Sequence, residues 1–190
     1  MFRAFTFGLS AVLLATAGLA QAAPTEYVIE SNHTYPSFTA PHMGISFWRG
    51  KFNKTSGSVM LDTAAATGSV DITIDASTVD FGHEKMNEHA RGEDFFNVAE
   101  YPTITYSGEI SFDGATPVAV DGELTMLGVS KPVPLKINSF KCIEHPMLKV
   151  EVCGADATAS FDRTDFGMDY GASSGTGVEL QIQVEALKKP

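Results

Sequence analysis

The residues best able to do chemistry are five histidines, His33, His42, His83, His89 and His145. Imidazole titrates near neutral pH, so each can serve as acid, base or metal ligand. Their spacing does not favour a metal: no pair is four apart on a helical pattern, and none forms a tight finger-like group. His42 shares strand parity with Phe38. It is therefore either a hydrogen-bonded core histidine or a polar handle inside an apolar pocket, and His89 invites the same two readings. GASSG, Gly171 to Gly175, matches the nucleophile-elbow pattern, but that motif needs a helix after it. VELQIQVEAL comes next and has a strand pattern, so the match reads as chance. Asp-Phe-Gly occurs at Asp80 and at Asp165 without the remaining kinase signature, and both read as turns. No phosphate loop or dinucleotide fingerprint is present. Asn32-His33-Thr34 and Asn53-Lys54-Thr55 match the glycosylation pattern, which matters only in a eukaryotic host.

The two cysteines, Cys142 and Cys153, lie close together in FKCIEHPMLKVEVCG. If they pair across a hairpin, facing residue numbers sum to 295. Met147 and Leu148 then form a two-residue tip, and both sulfurs share a face. In an exported chain a disulfide is the favoured reading, with a stabilisation of roughly 2–3 kcal/mol from closing so short a loop. A metal site with His145 is the rival reading.

The elements that must position these residues are strands. The chain of 190 residues is long enough for one domain with a real core. Residues 1–22 read as a secretory signal peptide. Arg3 supplies the basic start, Phe7 to Ala20 the apolar run, and Ala20-Gln21-Ala22 the small-x-small cleavage site. This leaves one domain over 23–190 and predicts a periplasmic location. Without Arg3 the balance is 12 basic against 23 acidic residues, or −11. Such a surface repels phosphate backbones, so the charge balance argues against nucleic acid as a partner.

Period-two alternation dominates the mature chain. It appears in Phe38/Ala40/His42, Val70/Ile72/Ile74, Ile104/Tyr106, Val118/Val120/Leu124/Met126, and Ala157/Ala159/Phe161. It is clearest in Val178, Leu180, Ile182, Val184 and Ala186 against Glu179, Gln181, Gln183 and Glu185. One buried face and one wet face is the antiparallel pattern. Asp113-Gly114, Asp121-Gly122, Leu127-Gly128 and Gly171 to Gly177 read as turns. These short strands predict an antiparallel sandwich or barrel. A single helical segment is expected at about 83–97, with Met86, His89, Ala90, Glu93 and Phe96 at helical spacing and Phe95 beside them. Pro102 bars further helix. Aromatic residues are spread over most segments. A barrel of roughly eight strands either fills itself with such side chains or holds a ligand, and the residues alone leave that choice open.

Six stretches, in order, resemble the YceI-like family of exported proteins. They are YVIESNHT, FTAPHMG, WRGKFNKTSGSV, NEHARGEDFFNVAEYPTITYSG, DGELTMLGVSKPVPL and FDRTDFGMDYG. Together they span almost all of the mature chain. Tyr27 and Glu30 stand where the family commonly has tryptophan and aspartate, and the cysteine hairpin matches only a subset of members. The resemblance implies an all-β, antiparallel, lipocalin-like barrel of about eight strands. It also implies a long apolar cavity for a polyisoprenoid chain, as in a polyprenyl lipid or a quinone. The wall residues it suggests are Phe38, Phe52, Phe95, Phe96, Ile104, Tyr106, Leu124, Met126 and Phe161, with His42 and His89 as polar contacts. The leading expectation is a non-enzymatic carrier, scavenger or sensor of isoprenoid lipid, with no catalytic residue, metal or cofactor. The competing readings are an enzyme using His33, His42 or His89 on such a lipid, and a self-filled barrel that serves a membrane cytochrome or self-associates.

Overall fold

The computed structural model describes residues 24–190, and the leader expected over 1–22 lies outside them. Twelve strands form one antiparallel sheet. They are β1 (Thr25–Ile29), β2 (Tyr35–His42), β3 (Ser46–Phe52), β4 (Thr55–Asp62), β5 (Thr67–Asp75), β6 (Val79–Asp80), β7 (Thr103–Asp113), β8 (Thr116–Met126), β9 (Val129–Pro132), β10 (Leu135–Glu144), β11 (Glu151–Asp162) and β12 (Gly177–Lys188). Several are halves of one interrupted strand. β1 and β2 both run along β12, separated by a 3-10 turn at Ser31–His33. β3 and β4 likewise continue each other, as do β5 and β6. The result is a closed eight-strand antiparallel barrel with one helix, the lipocalin-like fold. Closure pairs Tyr27 with Lys188 and Ile29 with Ala186.

The register follows the alternation. In β5, Val70, Ile72 and Ile74 face inward, while Asp71 faces solvent. In β12, Val178, Leu180, Ile182 and Val184 face inward, with Glu179, Gln181, Gln183 and Glu185 exposed. Two departures have local causes. Asp121-Gly122 is not a turn but the middle of β8, where Gly122 faces Gly108 of β7. Val118 breaks parity with Val120: a bulge opposite Ser111/Phe112 turns it outward and puts Pro117 in the interior.

The cysteine hairpin has the expected register. Cys142 faces Cys153 and the two are joined. The tip is longer than the two residues expected. The His145 amide donates to Val150 O at 2.8 Å, which leaves Pro146 to Lys149 as a four-residue loop. Pro146 cannot donate to the ladder, and Lys149 takes a left-handed φ of 57° to close the turn. His145 Nδ1 accepts from the Met147 and Leu148 amides at 3.2 and 3.1 Å. The disulfide sits in a small core with Tyr27, Ile29, Leu61 and Ala186 that closes the base of the barrel. Replacing both cysteines by alanine is expected to lower unfolding free energy by about 2–3 kcal/mol, read by urea denaturation.

The helix is shorter than expected. It spans Glu84–Arg91 and is capped by His83, whose Nδ1 accepts from the Met86 amide. Gly92 adopts an extended backbone and stops it. The chain then folds back: the Phe96 amide donates to Ala90 O at 2.9 Å and the Asn97 amide to Gly92 O at 2.9 Å. Phe95 and Phe96 therefore stand on a turn beyond the helix, not on its stripe, and Glu93 is exposed.

Candidate functional site

A cavity of about 510 Å³ occupies the barrel. That volume lies within the roughly 300–1,000 Å³ range of small-molecule sites, so the barrel is not filled by its own side chains. The inward face of each strand builds its walls. β2 contributes Phe38, Ala40 and His42, and β3 contributes Trp48 and Phe52. β7 contributes Ile104 and Tyr106, β8 Leu124 and Met126, and β11 Phe161. His89, Phe95 and Phe96 complete the set from the helix and the turn after it. All eleven wall and contact residues expected from the sequence thus border one space.

The two adjacent phenylalanines serve different parts of that space. Phe96 is buried, with its ring 5.3 Å from Phe52 and 6.1 Å from Phe38. Phe95 turns toward the opening, 5.0 Å from His89 and 5.4 Å from Tyr170. The turn, unlike a shared helical stripe, lets the neighbouring rings diverge in this way.

The mouth is at the end where β2, β8 and β11 finish and where β3, β7 and β12 begin. Its rim includes Met43 and Tyr170, 65% and 53% exposed, which also line the cavity. At that end Asp80 fixes the approach to the helix. It accepts from the Gly82 amide at 2.8 Å, from Asn87 Nδ2 at 3.1 Å and from Asn53 Nδ2 at 3.3 Å. The buried Asn87 in turn accepts from the Phe81 amide at 2.8 Å. Phe81 is thereby placed against Phe38 and Trp48, at ring separations of 5.5 and 6.0 Å. Across the mouth, Asp162 accepts from Thr164 Oγ1 at 2.6 Å and from Thr176 Oγ1 at 2.5 Å, tying down the loop between β11 and β12.

These bonds hold both carboxyls below the ordinary range. For Asp80 the largest cause is the Gly82 amide, and for Asp162 the Thr164 hydroxyl. A carboxyl whose folded pKa is depressed stabilises the fold fully above its unfolded value and loses that contribution as pH falls through the folded value. The mouth loops should therefore loosen below about pH 4. Urea midpoints measured from pH 7 to pH 3 should fall, and Asp162→Asn should flatten the fall.

The wall is apolar even where a polar residue builds it. Tyr106 presents its ring, while its hydroxyl donates to Val133 O at 2.9 Å. Burial pushes this phenol well above its usual pKa, so it stays neutral. Among the described residues lining the cavity there is no Asp, Glu or Lys. Arg163, only 7% exposed, is the one permanent charge. It donates to Met168 O and, at 3.4 Å, to Gly175 O, and so pins the mouth loop.

His42, His89 and His33 have separate partners. His42 lies edge-on to Trp48, with centroids 5.2 Å apart. His89 contacts Asp94 at 3.0 Å on the exposed rim. His33 does not line the cavity and pairs with Glu30 at 2.6 Å. Among the described residues no cluster of three or more His, Cys, Asp or Glu is placed to hold a metal ion.

Sequence reasoning missed Trp48, Phe81, Arg163, Met168 and Tyr170 as lining residues. Phe81 carried a usable signal. Both Asp-Phe-Gly turns hold a lone ring between turn residues, and both rings, Phe81 and Phe166, pack into the main core.

The YceI-like domain profile matches residues 27–186. A UPF0312 protein of Pseudomonas aeruginosa is 34% identical over 180 residues, covering 93% of each chain. A UPF0312 protein of Shewanella is 33% identical over 174 residues, covering 88% of this chain and 90% of the relative. Among solved structures, the Campylobacter jejuni YCEI protein is similar at a TM-score of 0.66 and 25% identity, over 78% of this chain and 90% of that one. A polyisoprenoid binding domain from Saccharophagus degradans shares the fold at a TM-score of 0.62 and 17% identity, over 86% and 98% of the two chains.

Proposed function

Because this chain belongs to the YceI-like family, we propose that it binds an isoprenoid lipid, either a polyprenyl lipid or a prenylated quinone, within its barrel. It acts as a periplasmic carrier, scavenger or sensor and performs no chemistry on its cargo. The observation that carries this reading is the wall itself: an open cavity of about 510 Å³ with aliphatic and aromatic sides and no carboxylate or lysine among the described lining residues. An isoprenoid tail offers large apolar area and few hydrogen-bonding atoms. Each Å² buried gains roughly 25 cal/mol before association costs. The fold shared with a polyisoprenoid binding domain supports the same ligand class. A reaction would need an acid or base held against the substrate; His42 packs on Trp48, and the His–carboxylate contact at the mouth, His89 with Asp94, lies on the exposed rim.

Trp48 gives a direct test, because it is the chain's single tryptophan and lines the cavity. Detergent-dispersed quinones should quench its fluorescence with an affinity that rises with prenyl tail length. Equal quenching by a tail-less quinone, or none by any, would remove the proposal.

A further inference from the structure

The hairpin between β2 and β3 has an unusual tip. Met43 and Gly44 both adopt left-handed φ values, 55° and 70°, and the Ile45 amide donates to His42 O at 3.1 Å. Such two-residue turns favour Asn-Gly or Asp-Gly, and a left-handed φ is uncommon for a residue such as methionine. The residues held there are also apolar and wet. Met43, Ile45 and Phe47 are 65%, 80% and 61% exposed. From Thr34 to Trp48 the chain carries no Asp, Glu, Lys or Arg. The same hairpin borders the cavity mouth through His42, Met43 and Trp48.

We propose that this tip is a membrane-docking element: Met43, Ile45 and Phe47 enter the acyl boundary of a neutral lipid bilayer and set the cavity mouth against it. The inference rests on the lipid-binding reading, since cargo in a bilayer must otherwise cross water to reach the barrel. Size argues for a bilayer rather than a second protein: three side chains fall far short of the ~20–30 residues a side of a stable interface. Charge argues for a neutral bilayer. The tip itself is uncharged, and the other mouth loops carry Glu93, Asp94, Asp165 and Asp169, which disfavour an anionic surface. Docking is therefore by apolar insertion, as in monotopic anchors, and is weak and reversible. The opposite end supplies a control. Ile143, Met147 and Leu148 are also exposed, but they sit among Lys141, Glu144 and Lys149 and do not line the cavity.

The test is flotation of the ligand-free mature chain with phosphatidylcholine vesicles at low and high salt, with binding of detergent-dispersed quinone assayed in parallel. Wild type should float, and high salt should not weaken it. Ile45→Ser with Phe47→Ser should float at least about tenfold less, and Met147→Ser with Leu148→Ser should float like wild type. Dispersed quinone should bind all three chains alike. The docking proposal is overturned if wild type does not float, if the tip variant floats equally, or if the tip drives dimerisation in solution without flotation. Failure of wild type to bind dispersed quinone would overturn the cargo reading instead, and the parallel assay reports that separately.

Discussion

Ala40→Trp should cut the affinity for a long prenylated quinone by about a hundredfold while leaving the protein folded. Ala40 faces inward opposite Trp48, near the mouth of the cavity. An indole there projects into open space rather than into packed neighbours, so the overpacking that usually accompanies a large side chain is avoided. It occupies volume that the cargo needs. Denying the tail ~100 Å² of apolar contact at ~25 cal/mol per Å² removes ~2.5 kcal/mol, close to two decades of affinity. Titration with dispersed quinone measures this, and thermal unfolding of the ligand-free variant checks the fold. Unchanged affinity would mean that the cargo lies elsewhere. The substitution adds a second tryptophan, so calorimetry is the better readout than Trp48 fluorescence.

Gly122→Ala is expected to cost roughly 2–4 kcal/mol of stability. The position lies mid-strand in β8 on the inward face, opposite Gly108. A Cβ at residue 122 would lie 2.3 Å from Tyr106 Oη and 2.4 Å from its Cζ. The tyrosine ring covers the bare glycine backbone and carries its hydroxyl to Val133 O. An added methyl must displace that ring, breaking the buried hydrogen bond and pushing the ring into the cavity. Urea denaturation should show the loss. Adding Tyr106→Leu should make the double variant more stable than the sum of the two single losses, because the clash disappears with the ring. Strict additivity would show that the ring does not pack on this glycine.

These two glycines also mark where the sequence was misleading. Asp121-Gly122 has the composition of a turn, and only its partner strand shows otherwise. Gly108 lies more than ten residues away and is paired with it by the closed sheet. Turn composition is local, whereas a glycine required for close approach is a tertiary fact. Val118 misled for a similar reason: parity holds until a bulge resets it.

Parity was otherwise highly informative. A half-wet strand has one apolar face, so the alternation alone groups Phe38 with Ala40, Ile104 with Tyr106, Leu124 with Met126, and Phe161 with Ala159; Phe52 entered only with the family resemblance. That this shared face borders an open cavity rather than a filled core was implied by family resemblance and by nothing in the alternation. The loop contributors stayed hidden because they obey no period. Arg163 reads as a turn residue in FDRTDFG, yet the 3-10 turn after β11 buries its guanidinium among loop carbonyls. The end of the helix was missed because Gly92 and the left-handed Asn97 redirect the chain within a segment whose side chains still keep a helical spacing.

Native mass spectrometry of the protein, isolated from its own cells without detergent, tests the central claim most directly. The expected spectrum shows the polypeptide carrying one lipid of discrete mass, whose fragments differ by isoprene units. A bare polypeptide that also forms no complex with added prenyl lipids would contradict the account.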